Sequence, residues 1–431
     1  MTAEDLAHRR HQALAPSYRL FYNNPVHVVR GQGVHLWDAD GRQYLDCYNN
    51  VPSVGHCHPT VVNAIAEQAA TLNTHTRYLH EGVVRLAERL GDRLGGALGS
   101  AWLLCSGTEA NDLAIQVARA ATGHYGVIVT EHAYHGNSTL VRELSTEDNQ
   151  AAARPNWIEM IDPPDMYRGQ YRAPETAATL YAEQVAEATR RLARNGHGVA
   201  ALLVDSSWDA PGVLVAPDGY LNQAADHVWG VGGFVIADEV QAGYCRLGDH
   251  FWGHARYDLL PDIVTMGKPM GGGHPVSATV TTPEIASAFA EHGSYFNTFG
   301  GNPVSAAAAN AVLDVIDEED LLANATATGA VLQAGLQSLA QNHALIGNIQ
   351  GCGLFWGLDL VTDRGSRQPL SPELTEGFIT LMRNKGVLLG ATGVHGNVVK
   401  LRPPLPFSKA NASQALETLE VVLSEFAGHG A

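Results

Sequence analysis

Between about residues 100 and 280 the chain alternates between two kinds of segment. Short apolar runs (WLLCS, YGVIVT, VAALLVD, GFVIADEV, DIVTMGK) are separated by stretches of helical period such as EANDLAIQVARAA and TLYAEQVAEATRRLA. A run apolar along its whole length must be covered on both faces, and a following amphipathic helix can cover one of them. Repetition of the pair therefore leads to a mainly parallel sheet with helices on each side. After about residue 310 the character changes. Helix-like AAAANAVLDVIDEEDLLANA and ATGAVLQAGLQSLA precede strand-like LFWGLDLV and a final helix, SQALETLEVVLSEF. Near the start, VRGQGVHLWDADGRQYLD carries a DADG turn between two short strand patterns, the arrangement of a hairpin. The expected fold class is α/β, with a large domain over residues 51–309 and a small α+β domain built from 1–50 and 310–431.

Composition narrows the function. Of 431 residues, 45% are hydrophobic and 16% charged, which excludes a disordered chain and allows a large core. No apolar run reaches the ~18 residues of a membrane span. The start, MTAEDLAHRRHQ, has no apolar stretch behind its basic residues and does not read as a secretory leader. A net charge of −17 would repel nucleic acid and anionic membranes, although one basic pocket could still take a small anion. The five cysteines are scattered and odd in number, as in a cytoplasmic protein with reduced thiols. His56-Cys57-His58 lacks zinc-site spacing, and no metal is expected.

Five segments carry chemistry. Cys105-Ser106-Gly107-Thr108-Glu109 follows a strand and opens a helix with the S-x-x-E spacing of a capping box. Free N–H groups at such a start bind anions, but alone the segment is equally a well-capped helix. His132-Ala133-Tyr134-His135-Gly136 follows the strand YGVIVT, where a ring can stack on a flat ligand in the crevice of an open sheet. Asp238-Glu239 closes an apolar run, and a buried carboxylate needs a partner: a protonated ring nitrogen or, equally, a helix start that it caps or an arginine. Lys268, one of only four lysines, ends another strand before a GGG run. Apolar walls disfavour its ammonium and leave a nucleophilic amine able to form a Schiff base. Phe296-Asn297-Thr298-Phe299-Gly300-Gly301 reads as an anion-binding turn or as an ordinary loop. Together, a helix-start anion site, a stacking ring, a buried acid and an activated lysine match the requirements of pyridoxal phosphate.

The stretches DADGRQYLD, VGHCHP, SGTEAND, AYHG, ADEVQAG, TMGKPMGGGHP and NTFGGNPVSAAAA resemble the class III aminotransferases, fold-type I pyridoxal-phosphate enzymes, over nearly the whole chain. The resemblance implies that Lys268 carries the cofactor, Asp238 holds its ring nitrogen protonated and Tyr134 stacks on the ring. Ser106, Gly107 and Thr108 would cradle the phosphate and Gln241 would contact the phenolic oxygen, with His135 and Val240 completing the cofactor site. Thr298 would reach the phosphate of a neighbouring subunit, which implies a homodimer, or a tetramer of such dimers, with its sites at the interface.

Further stretches, among them LDCYNNVPSVGHCHP, LNTHTRYLHE, MYRGQYR and YFNTFGGNPVS, are similar to a narrower branch, the ethanolamine-phosphate and phosphohydroxylysine phospho-lyases. Typical class III aminotransferases also carry a glutamate in E-P-x-x-G-E-G-G that pairs with a C-terminal arginine, and Ala210 stands in its place here. The branch carries K-P-P near the C-terminus, whereas this chain has Arg402-Pro403-Pro404. The expected activity is β-elimination of phosphate from a small phosphorylated amine, giving aldehyde, ammonia and phosphate. Lys268 would take the proton, and Arg402, Arg77, Asn49 and Asn50 would line the substrate site. The alternatives are a class III aminotransferase, which Arg402 favours, an amino-phosphonate lyase, and a non-catalytic protein on the same fold.

Overall fold

A computed structural model describes residues 3–147 and 154–429. The five apolar runs are strands of one seven-stranded sheet. Its order is Ser100–Leu104, Ser277–Thr281, Ile263–Met266, Phe234–Asp238, Val199–Val204, Gly126–Thr130 and Ile158–Ile161. Ser277–Thr281 runs antiparallel to both its neighbours, and the other strands are parallel. Gly126–Thr130 and Val199–Val204 are buried along their whole length, because helices cover both faces. The helix Gly107–Thr122 packs across the middle strands, and Pro174–Arg194 packs with Tyr220–Trp229. No helix among the described residues is long and apolar enough to cross a membrane.

Ser277–Thr281 (SATVT) carries no apolar signature, yet it is wholly buried. Its hydroxyls explain this. Ser277 Oγ donates to Ser106 O at 2.8 Å, Thr279 Oγ1 to Ala110 O at 2.9 Å and Thr281 Oγ1 to Asp262 O at 2.7 Å. A hydroxyl bonded to a backbone carbonyl can be buried without the cost of an unmet polar group. The run AAAANAVLDVIDEEDLLANA, which reads as one helix, is two: Pro303–Glu318 and Leu321–Asn342. Asp320 breaks it with φ of +48°. Acidic side chains oppose the dipole at a helix C-terminus, and Asp enters the left-handed region more readily than most residues.

Two further sheets flank the first. Val28–Gln32, His35–Asp38 and Gln43–Asp46 form an antiparallel meander, and Val387–Leu388 joins it parallel to Gln43–Asp46. The DADG turn closes between the second and third strands, where Asp38 Oδ1 accepts from Asp40 N at 3.1 Å and Arg42 N at 2.9 Å. The other sheet holds Ile346–Cys352, Phe355–Asp363, Val398–Leu401 and Gly390–Thr392, with Gln368–Pro369 beside Phe355–Asp363. The segment after Val398–Leu401 is pinned to residues 47–53: Arg402 N donates to Cys47 O and Leu405 N to Ser53 O, both at 2.7 Å. These bonds bring the C-terminal arginine to the mouth of the central sheet.

At the strand ends, Gly136 has φ of +138°, and a Cβ placed on it would lie 2.7 Å from Thr108 Oγ1 and 2.9 Å from Thr108 Cα. Gly136→Ala combines backbone strain with a collision against backbone. We expect it to destabilise the protein by about 2–4 kcal/mol, read from the denaturant midpoint. An unchanged midpoint would show that this loop does not hold the helix start.

Candidate active site

In an open parallel sheet the strand carboxyl ends leave a crevice, and here the polar residues collect in it. Leaving the strand Ser100–Leu104, the chain closes the capping box read from the sequence. Ser106 Oγ accepts from Glu109 N at 3.2 Å, while Glu109 Oε2 accepts from Cys105 N at 2.7 Å and Ser106 N at 3.1 Å. The N–H groups of Gly107 and Thr108 lie in the first turn, where a helix offers no acceptor of its own. Two glycines keep this start clear. A Cβ on Gly267 would lie 3.2 Å from Gly107 N, and one on Gly107 would lie 2.9 Å from Val240 Cγ2. Val240 thus packs directly against the helix start.

Asp238 ends the strand Phe234–Asp238 and is 4% exposed. Its Oδ2 accepts from Asn111 Nδ2 at 2.8 Å and lies 2.8 Å from His135 Nδ1, while Oδ1 accepts from Val240 N at 3.1 Å. Asn111 is held in turn, its Oδ1 accepting from Thr265 Oγ1 at 2.6 Å and its Nδ2 also donating to His135 O at 2.8 Å. His135 Nε2 is buried without a partner among the described residues. Tyr134, on the same loop, stays 45% exposed.

Lys268 follows the strand Ile263–Met266 and lines a cavity with Tyr48, Tyr134, Asp205, Trp208, Asp209, Gln241, Lys400 and Arg402. Burial, reinforced by the charge of Arg402, lowers its pKa below the usual lysine range. Asp205 moves the other way: burial and then the neighbouring Asp238 push it up to about 6.

The opposite wall centres on Asp209. Its Oδ1 accepts from Lys400 Nζ at 2.8 Å, and its Oδ2 accepts from Gln241 Nε2 at 2.6 Å and Arg402 NH1 at 3.2 Å. Burial opposes the Asp209 charge, but Lys400 and Arg402 outweigh it and hold the pKa below the ordinary carboxylate value. Burial also lowers the Lys400 pKa, with Asp209 pulling against the change. Gln241 Oε1 accepts from Asn50 Nδ2 at 2.7 Å and Arg402 NH1 at 2.6 Å. The Arg402 guanidinium lies over the Tyr48 ring, 5.2 Å from its centroid.

The structure therefore brings Lys268, Tyr134, Gln241 and Arg402 to one cavity, with Asn50 bonded to Gln241 and with Asp238, His135, Val240 and the Ser106–Thr108 turn behind and beside it. Three expected residues lie elsewhere in this chain. Asn49 donates to Asp46 Oδ2 at 2.9 Å and closes a turn. Arg77 is exposed, its guanidinium 4.0 Å from the centroid of Phe296, and Thr298 is exposed on the neighbouring loop.

Asp209, Lys400, Asn111, Asp205 and Tyr48 went unread in the sequence. The alternation of VVKLR was a usable signal, since residues 400 and 402 share a face. The carboxylate that appeared to be missing at Ala210 is supplied by its neighbour: Asp209 is the acid that pairs with Arg402. Among the described residues no cluster of His, Cys, Asp and Glu is arranged to hold a metal ion. Unpaired first-turn N–H groups, a buried carboxylate, an exposed ring and a lysine of lowered pKa do fit the phosphate, ring nitrogen, ring face and aldehyde of pyridoxal phosphate.

Comparison with known proteins agrees. A sequence model of the family Aminotransferase class-III matches residues 19–423. Alanine–glyoxylate aminotransferase 2-like of Drosophila melanogaster is 42% identical over 96% of this chain and 87% of its own length. Ethanolamine-phosphate phospho-lyase homolog 1 of Caenorhabditis elegans is 38% identical over 98% and 93%. A phospholyase from Arthrobacter, solved in complex with phosphoethanolamine, superimposes with a TM-score of 0.94 at 43% identity, covering 97% of this chain and 99% of that one. The cofactor of this family is pyridoxal phosphate. The chain belongs to the class III aminotransferase family.

Proposed function

We propose that the protein is a pyridoxal-phosphate-dependent phospho-lyase, eliminating phosphate from a small phosphorylated primary amine of the phosphoethanolamine kind. The observation that carries this reading is the cationic wall of Lys400 and Arg402 across the same cavity from Lys268. The likeness to a phospholyase solved with phosphoethanolamine supports it.

In this reading the N–H groups of Gly107 and Thr108, with the hydroxyls of Ser106 and Thr108, would hold the cofactor phosphate at the helix start. Tyr134 and Val240 would hold the ring, Gln241 would serve its phenolic oxygen, and Asp238, fixed by His135 and Asn111, would keep its nitrogen protonated. When bound, the cofactor supplies an electron sink for the pair released as the carbon beside the substrate nitrogen loses its proton. The amine of Lys268 takes that proton, and burial with the nearby charge of Arg402 favours its neutral form. Arg402 steadies the charge growing on the leaving phosphate, and Asn50 positions Gln241. The carbon product is an enamine that water converts to an aldehyde and ammonia.

A homodimer is part of the reading. Leu79 and Phe299 are 100% and 71% exposed beside Arg77 and Thr298, and the ring of His75 stacks on Tyr78 and meets Phe296 edge-on. Such an apolar patch calls for a cover, and a second copy would carry its own Thr298 and Arg77 towards this site. Five free thiols accord with a cytoplasmic location. The aminotransferase alternative draws support from the Asp209–Arg402 pair, which resembles the acid–arginine pairing of transaminases.

The deciding assay incubates the holoenzyme with phosphoethanolamine and follows phosphate, ammonia and aldehyde together. Equal yields of all three with no keto-acid acceptor are expected. Amino transfer that needs an acceptor and leaves the phosphate ester intact would overturn the reading. A second expectation concerns the free amine. A low-pKa lysine is neutral at lower pH, so in the cofactor-free protein Lys268 should reach half-maximal acylation at lower pH than the side chain of a free lysine derivative, as read by peptide mass analysis. Coincident pH midpoints would remove Lys268 as the base.

A further inference from the structure

We propose that Lys400 is a specificity-determining residue of this site, forming with Arg402 a two-cation grip that selects a phosphoryl dianion over a carboxylate. The proposal rests on the phospho-lyase reading and names the group that recognises its substrate.

Lys400 lies in the strand Val398–Leu401, and Arg402 follows two residues on, so both side chains leave the same face. They are 7% and 4% exposed, and both line the cavity that holds Lys268. One carboxylate serves them both. Asp209 takes Lys400 on Oδ1 and Arg402 on Oδ2, and Gln241, also bonded to each end of this pairing, is neutral. Two buried cations against one anion leave a positive charge without a counter-charge, a costly arrangement unless a ligand supplies one. Among the described residues the ion pairs of Lys400 and Arg402 are those with Asp209, and the Asp205 carboxylate is turned to Ser207, its Oδ1 accepting from Ser207 N at 2.9 Å and Ser207 Oγ at 2.6 Å.

Lys400 also has donors to spare. An ammonium carries three N–H groups, and the hydrogen bond of this one among the described residues is to Asp209. A carboxylate, with one charge and two oxygens, is served by a single arginine. A phosphate ester dianion, with two charges and three terminal oxygens, can engage both cations at once. Asp209 holds the two side by side, so the grip is assembled before the substrate arrives.

The test uses Lys400→Gln, which keeps a donor for Asp209 and removes the charge, with Lys400→Arg as the charge-retaining control. Calorimetry on the holoenzyme measures inorganic phosphate binding, with acetate as the single-charge comparison. The wild type should bind phosphate at least about tenfold more tightly than acetate, and Lys400→Gln should lose about 10–100-fold in phosphate affinity with little change for acetate. KM for phosphoethanolamine should rise by a similar factor, with kcat changing less, and Lys400→Arg should recover most of the loss. Equal binding of phosphate and acetate by the wild type overturns the proposal without recourse to a variant. So does a Lys400→Gln enzyme that keeps its cofactor absorbance and binds phosphate within twofold of the wild type. If phosphoethanolamine releases no phosphate while Lys400-dependent phosphate binding remains, the phospho-lyase reading fails and the anion grip stands.

Discussion

A carboxylate buried at the end of a central strand is the constraint around which the rest is arranged. Asp238 is almost wholly out of water, and an ionised group there persists only with a full set of donors. Those donors come from three separate places: Asn111 on the helix Gly107–Thr122, His135 on the loop after Gly126–Thr130, and the backbone of Val240. Satisfying one side chain therefore fixes the helix start, the loop that carries Tyr134 and the strand end relative to one another. Gly107, Gly136 and Gly267 then let these elements approach more closely than any side chain would allow. Cofactor binding and the packing of the central sheet are in this sense one problem with one solution.

Asp209 is the second centre, and it works differently. Asp238 is surrounded by neutral donors and a histidine, whereas Asp209 is shared between a lysine and an arginine. The first arrangement favours a cationic ring nitrogen beside it, and the second presents positive charge to whatever enters from the cavity. A fold shared by transaminases and phospho-lyases can change its chemistry at the second centre while leaving the first untouched, because the two carboxylates sit on different strand ends and draw on different partners.

Much of this was readable in advance, and the exceptions have physical causes. The apolar runs became strands because covering both faces of a parallel sheet demands continuous hydrophobicity. SATVT escaped notice because hydrogen-bonded hydroxyls can be buried like methyl groups. The long helical run hid its break because a left-handed Asp leaves little trace in hydrophobic periodicity. Ala210 looked like the loss of an acid, since a motif records positions along the chain, whereas a side chain one residue away can reach the same arginine through space. Arg77 and Thr298 belong in their motifs yet are exposed, because motif membership does not say whether a side chain turns into the crevice or to the surface.

The order of strand, anion-binding turn, ring, acid and lysine along the chain determined the fold class and the cofactor, since each of those features is local and needs only a strand end or a helix start to express it. What only the tertiary structure decided is the charged wall that shares the cavity with Lys268. Lys400, Arg402, Asp209 and Gln241 come from segments as much as 193 residues apart, and they meet because the C-terminal strand is pinned by backbone hydrogen bonds to residues 47–53. Charge balance is a sum over neighbours in space, and no pattern along the chain records it.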